Sequence, residues 1–392
     1  MSSSMGKSYT LLAHFLSPYR PGELVETLRE YDRKGRLDWK LVLYQANLSF
    51  CTPLWYSRLR QKGLLDELPE DLQEYLQVLH QANVERNEAF QASLVEILSS
   101  LQDMRIHSVL LKGAATFCDG LYGSSGARLM GDVDILIEPG GAERVQEVLI
   151  RSGYVPVPTT RADTYSPEYL PQHLPRMLKP HSPVAVEIHV RVERGQAGRI
   201  LPAGLAWANS QKVVLGGYHT AVLSPTYRLL HNTVHGLLSQ REFIQSNISL
   251  LQLAEFAELV STYENEIDWG EWHRRGAEHG AAREFGAYLT LACNLMGVPW
   301  PDGVRKHRLA RIDAARIEMA GNRVGKLRDR TVSMKGRLGE ALAGWFVNFF
   351  YNLCRPLWVW RNVCHVEGNI PLSIGMMLKK LWSNLGLRVG GR

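Results

Sequence analysis

Two aspartates one residue apart, Asp132 and Asp134, constrain this chain more than any other feature. Asp132 immediately precedes, and Asp134 lies within, an apolar run, Val133 to Ile137, that reads as a strand. Residues i and i+2 of a strand project to the same face, so the two carboxylates stand side by side. Unpaired carboxylates at that spacing repel each other and require a counter-charge. A divalent cation that prefers hard oxygen ligands, Mg²⁺ or Mn²⁺, is the simplest one. Upstream, Val109-Leu110-Leu111 reads as another short strand, which Lys112-Gly113-Ala114-Ala115 breaks to start a helix. A glycine-bearing loop, Gly120 to Gly126, separates that helix from the aspartates.

A third acid follows downstream. The run Val184 to Val190 alternates strictly, placing Glu187, His189 and Arg191 on one face and Val186, Ile188 and Val190 on the other. The Leu111-Lys112-Gly113 turn, Arg128 with Asp132-Val133-Asp134, and the Glu187-Ile188-His189 strand together resemble the uncharacterised nucleotidyltransferase family of the polymerase-β-like superfamily. The resemblance covers roughly Trp39 to Trp300. The wider superfamily has Gly-Ser or Gly-Gly at the turn, where this chain has Gly113-Ala114. Phosphate contacts are therefore expected from backbone N–H groups and Lys112 rather than from a serine hydroxyl.

The resemblance implies an α+β fold: a small mixed sheet with flanking helices, embedded between N-terminal and C-terminal helical regions. It implies transfer of a nucleoside monophosphate from an NTP such as ATP, with pyrophosphate released. Asp132, Asp134 and Glu187 are the implied catalytic residues and metal ligands, holding two Mg²⁺ ions. Lys112, Gly113, Arg128 and His189 are the implied nucleotide-binding residues. Arg128 pairs either with Asp132 or with a phosphate, and His189 either orients Glu187 or is a plain strand histidine. The acceptor is left open among small molecule, sugar, peptide, protein and RNA end. His231 and His235, four apart on a helix, have zinc-like spacing but lack the acid and third ligand of a zinc hydrolase motif, so packing or substrate contact fits them better.

Hydrophobic periodicity, the break at Pro299-Trp300-Pro301-Asp302-Gly303 and the basic shift beyond it divide the chain into a helical region over 1–105, a core over 106–223 that the resemblance implies is catalytic, a helical domain over 224–300 and a basic, aromatic-rich helical tail over 301–392. Expected elements include a helix over Glu23 to Lys34 and a long one from Pro69 to Met104. A helix over Gly140 to Gly153 is expected to turn Val145, Val148, Leu149 and Ile150 inward, and another runs from Ile244 to Thr262. Tyr154 to Pro183 is too rich in proline for regular helix and reads as a hairpin and loop, with Lys179 in reach of the site.

The net charge of +6 is uneven. Residues 303–392 hold 17 Lys/Arg against 5 Asp/Glu, so the tail is basic and the body acidic. Aromatics cluster from Trp345 to Trp360, broken by Asn348, Asn352 and Arg355. Such a tail either packs on the body or makes peripheral contact with anionic membrane, Lys379-Lys380 and Arg388 meeting lipid phosphates. Stable nucleic-acid binding has no further support in the pattern. Five scattered cysteines without a CxxC pair fit a reducing compartment, and no h-region of a signal peptide is seen, so a cytoplasmic location is expected. Two rivals stand beside the enzyme: a non-catalytic nucleotide- or partner-binding relative of the fold, and a membrane-associated scaffold acting through its tail.

Overall fold

The computed structural model describes residues 8–19, 38–157, 172–180, 182–239, 242–246 and 248–332. The expected Glu23–Lys34 helix, the Trp345–Trp360 aromatic cluster and the basic residues Lys379, Lys380 and Arg388 lie outside the described residues. In chain order the elements begin with α1 (Ser8–Leu16), α2 (Trp39–Leu48), α3 (Thr52–Gln61), α4 (Glu70–Asp103), β1 (Ser108–Leu110), α5 (Lys112–Asp119) and β2 (Val133–Ile137). They continue with α6 (Ala142–Arg151), β3 (Val155–Pro156), β4 (Met177–Leu178), β5 (Ala185–His189), α7 (Gly195–Ile200), α8 (Ala203–Ala208), β6 (Ser210–Leu215) and β7 (Tyr218–Leu223). The helical remainder is α9 (Pro225–Leu238), α10 (Glu242–Gln245), α11 (Leu250–Thr262), α12 (Trp269–Glu278), α13 (Ala282–Leu291) and α14 (Ala310–Val332).

The fold is α+β. Its mixed sheet has seven strands in the order β3-β4-β5-β2-β1-β7-β6, flanked by helices. β2 is central: it runs antiparallel to β1 and parallel to β5. Parallel pairing requires a crossover, and α6 lies in the connection between β2 and β5. The register sets Asp134 opposite Glu187 and Leu136 opposite His189. Two carboxylates 53 residues apart in the chain are thus made neighbours by strand pairing alone.

Alternation along the strands sends their side chains into two separate cores. Leu110, Val133, Ile135, Ile137, Val186 and Ile188 pack with α6 and the C-terminal half of α4. Val109, Leu111, Leu136, Ala221 and Leu223 face the other way, into a helical core built from α1–α3, α9 and α11–α13. Asp134 shares the parity of Leu136, so the carboxylates point towards the helical side. There they line a cavity shared with residues of α9 and α11.

The Pro69–Met104 helix is present as α4, with acidic Glu70 and Asp71 in its first turn. The proline-rich stretch does form a hairpin, β3 against β4. Ile150 is a correction: it is exposed, because the inward stripe of α6 is Ala142, Val145 and Leu149, and Ile150 lies one step around the helix from it. The Ile244–Thr262 helix is also corrected, since it is split into α10 and α11. Ser246 has φ of +56°, a left-handed conformation that ends a right-handed helix. Among the described residues, no helix is long and apolar enough to cross a membrane.

Candidate active site

One cavity of about 790 Å³ is lined by Lys112, Gly113 and Arg128 from the turn region, Asp132, Asp134 and Glu187 from the sheet, and His235 and Ser239 at the end of α9. Asp134 is the centre of its charge network. Its Oδ1 accepts from Lys112 Nζ at 2.7 Å and from His189 Nε2 at 2.8 Å. His189 Nε2 also lies 3.5 Å from Glu187 Oε2. His189 is fully buried, and its Nδ1 faces the Arg191 carbonyl at 3.1 Å.

Electrostatics follow from that packing. Burial alone would raise the Asp134 carboxyl, but Lys112 and His189 outweigh it and hold it below the ordinary carboxylate range. Burial would lower His189, yet its hydrogen bonds to Asp134 and Glu187 raise it to about 9. Lys112 is likewise raised, the Asp134 and Glu193 carboxylates overcoming desolvation. Asp132 behaves differently. Burial, then Asp134 and Glu187, push its carboxyl up to about 6. Arg176 is its closest charge partner, at 3.4 Å.

Asp132 is therefore a carboxylate short of positive charge, and this is the observation that tests a cation here. Asp132, Asp134 and Glu187 line one cavity, and burial, then the other two carboxylates, destabilise the charged form of Asp132. Asp134, Glu187 and His189 each offer a ligand atom, and these atoms lie within 4.8 Å of one another. Asp132 stands outside that trio. The donor set fits a divalent cation.

Metal-free, Asp132→Asn should stabilise the protein, by about 1–2 kcal/mol after allowance for screening at a partly exposed group. The sign is fixed by linkage. A carboxyl raised in the folded state binds its proton more tightly there, so stability rises as pH falls through about 6 towards the unfolded value near 4. Thermal unfolding at pH 7 and pH 5 should show a larger rise in wild type than in the variant, while the stabilisation by Mg²⁺ disappears in the variant. A lower melting temperature for Asp132→Asn at pH 7 would show that Asp132 is structurally satisfied.

The turn is strained at Lys112, whose φ is +47°. A left-handed non-glycine residue costs about 1 kcal/mol or more, and the pair with Asp134 holds it there. Gly113 is explained by packing: a Cβ would sit 2.6 Å from Met130 Sδ and 3.4 Å from an Arg128 guanidinium nitrogen. Arg128 itself donates through Nε to Glu255 Oε2 at 2.7 Å and through a terminal nitrogen to the Leu129 carbonyl. Its carboxylate partner is Glu255 of α11 rather than the expected Asp132. Lys179 pairs with Glu96 at 3.3 Å and covers the Tyr154 ring, away from the site.

Several residues of the site escaped the sequence reading. Arg176, not Lys179, comes from the hairpin to Asp132, and it also donates to the Gly131 carbonyl. The loop before β2 is hung on a polar stripe of α4. Asn83 donates to the Gly126 and Arg128 carbonyls, Asn87 to those of Ser125 and Arg128, and Arg86 to that of Met130. Spacing of three and four places these residues on one helix face; the hint in the sequence was polar residues where the periodicity asks for apolar ones. Gly126 permits the close approach, since a Cβ there would meet Val84 at 2.5 Å. Asn87→Leu should cost about 1–3 kcal/mol, removing the tie to the Ser125 carbonyl and leaving the Arg128 carbonyl to Asn83 alone. It should weaken nucleotide binding as well, by releasing the loop that carries Arg128 and Asp132. Calorimetric titration beside thermal unfolding checks this; unchanged stability would sink the anchoring role.

The family model described as an uncharacterised nucleotidyltransferase matches residues 35–297. A solved structure, an antigenic nucleotidyltransferase-like protein from Paracoccidioides brasiliensis, is similar at 14% identity over 56% of this chain and 98% of that chain, with a TM-score of 0.32. No curated protein matches the chain.

Proposed function

The chain belongs to the uncharacterised nucleotidyltransferase family, and from that premise we propose that it transfers a nucleoside monophosphate from an NTP to an acceptor hydroxyl or phosphate, with release of pyrophosphate. The observation that carries this reading is the convergence of Asp132, Asp134 and Glu187 on one cavity wall beside Lys112. A phosphoryl-transfer site needs charge neutralisation and positioning more than covalent chemistry. Asp132, Asp134 and Glu187 would hold Mg²⁺ or Mn²⁺, which when bound neutralises phosphate charge and lowers the pKa of an oxygen it contacts.

The remaining work falls to the chain. Lys112, raised in pKa and therefore cationic, offers its ammonium to the β- and γ-phosphates. Its strained backbone fixes the direction from which that charge is presented. His189 holds Asp134 and Glu187 at a fixed separation, the buried orienting role that a strand histidine can supply. Arg86 and Arg128 line the same cavity and add positive potential on the side of Gly113.

The test is incubation with each α-labelled NTP and Mg²⁺, alone and with cell extract, followed by mass analysis of labelled product. A labelled conjugate together with pyrophosphate is expected. Nucleotide binding without any pyrophosphate release would leave a binding protein instead.

A further inference from the structure

We propose that Glu193 and His235 form the proton-accepting end of this cavity, and that the acceptor is accordingly a hydroxyl compound rather than a phosphate. The inference deepens the nucleotidyl-transfer reading and rests on it. Glu193 follows β5, and His235 sits in the last turn of α9. Both line the cavity that holds Asp132, Asp134 and Glu187. Lys112 connects the two groups of acids, since it bonds Asp134 and lies within electrostatic reach of Glu193.

The geometry is that of an imidazole backed by a carboxylate. Glu193 is 3% exposed. Its Oε1 pairs with His235 Nδ1 at 2.8 Å, and its Oε2 accepts from Ser239 Oγ at 2.7 Å and Gln172 Nε2 at 3.3 Å. His231 Nε2 approaches Oε1 at 3.5 Å from one helical turn away. Burial would raise the Glu193 carboxyl, but the two histidines hold it well below its ordinary value, so it stays ionised. An ionised carboxylate at Nδ1 fixes the tautomer with the proton on that nitrogen. Nε2, across the ring, is left as the acceptor, and the His235 side chain is partly exposed at the cavity wall. Pairing of this sort activates an imidazole to take a proton.

The acceptor class follows from proton bookkeeping. When the acceptor oxygen bonds to the α-phosphorus, the bond from that phosphorus to the oxygen bridging the β-phosphate breaks. Pyrophosphate leaves with the electron pair, and a hydroxyl acceptor must surrender its proton, which passes to His235 Nε2 and then to solvent. A phosphate monoester, with a second pKa near 6, arrives largely deprotonated and needs no such group. Arg194 also lines the cavity, so net charge alone does not decide between them; the carboxylate-backed imidazole does.

The experiment measures pyrophosphate release from each of the four NTPs with Mg²⁺, water serving as a slow hydroxyl acceptor, alongside nucleotide affinity. The proteins compared are wild type, His235→Asn, Glu193→Gln and Asp134→Asn. Asparagine retains a donor for Glu193, so a purely structural tie survives in His235→Asn. Its turnover should fall about 10²-fold or more with nucleotide affinity within about threefold of wild type. Glu193→Gln should fall less, about tenfold, because glutamine still accepts from Nδ1. Turnover of His235→Asn near wild type overturns the proposal, and so does an equal loss of turnover and affinity. Product linkage is the second readout: a phosphodiester formed from cell-extract acceptors is expected, and a phosphoanhydride overturns it. If wild type releases no pyrophosphate, or Asp134→Asn releases it normally, the nucleotidyl-transfer reading has failed first and takes this inference with it.

Discussion

Asp134→Asn should lower kcat/KM for nucleotidyl transfer by about 10³-fold or more, equivalent to roughly 4 kcal/mol of transition-state stabilisation. Asp134 is 2% exposed and is the shared partner of Lys112 and His189. An asparagine keeps the shape but removes the charge that holds both cations and, under the proposed function, leaves a neutral amide where a carboxylate would hold a divalent ion. Lys112 then loses the contact that holds its left-handed backbone. The change has a second, independent signature in stability. His189 is raised in the folded state to about 9, against an ordinary value near 6.5. A raised histidine contributes stability that is complete below about pH 6.5 and is lost as pH rises through 9. For a fully buried ring that loss is on the order of 3 kcal/mol. Metal-free wild type should therefore melt lower at pH 9 than at pH 6.5 by a margin that shrinks in Asp134→Asn. Retention of near wild-type activity would remove Asp134 from the reaction. Retention of the full pH dependence would show that Glu187 alone holds the His189 proton.

What could be read in the chain and what could not divides along a physical line. Asp132, Asp134 and Glu187 were visible because strand alternation is local, and alternation dictates which face a side chain takes. The meeting of Asp134 and Glu187 needed only the guess that their strands pair. The long helix α4 was visible from its apolar stripe, but its second use was not. Asn83, Arg86 and Asn87 face the loop before β2, and their break in the apolar stripe marks a buried polar contact without naming the carbonyls it meets. Glu193 was missed for the same reason. Two residues beyond the alternating Arg191, it looks like any acid in a loop, and only the packing of α9 against the sheet brings it to His231 and His235. Those histidines were seen to lack an acid, and the fold supplies one from 38 residues upstream of His231. Lys179 and Arg176 differ by three positions in a short hairpin, where register decides which one faces Asp132.

Arg128→Met should destabilise the protein by about 3–5 kcal/mol, far more than an ordinary surface change, because it strands a buried charge. Arg128 is 7% exposed, and its Nε bonds Glu255 Oε2 at 2.7 Å. Glu255 is also buried and accepts from the Tyr122 hydroxyl at 3.2 Å. Burial would raise the Glu255 carboxyl, and Arg128 with Arg228 keeps it below its ordinary value. With Arg128 gone, that carboxylate sits in the helical core without its principal counter-charge, and it either takes up a proton or draws in water. The pair also joins the loop before β2 to α11, so its loss removes one tie between that loop and the helical side of the cavity. The variant alone does not separate an anchor from a phosphate ligand, since both lose activity. The double variant Arg128→Met with Glu255→Leu does separate them. Replacing both partners of a buried pair by apolar groups removes the stranded charge and often restores stability. If Arg128 only anchors the loop, the double variant recovers both its melting temperature and its nucleotide affinity. If Arg128 also meets the triphosphate, stability returns and affinity stays low. A double variant no more stable than Arg128→Met would mean that the loss does not come from Glu255 at all.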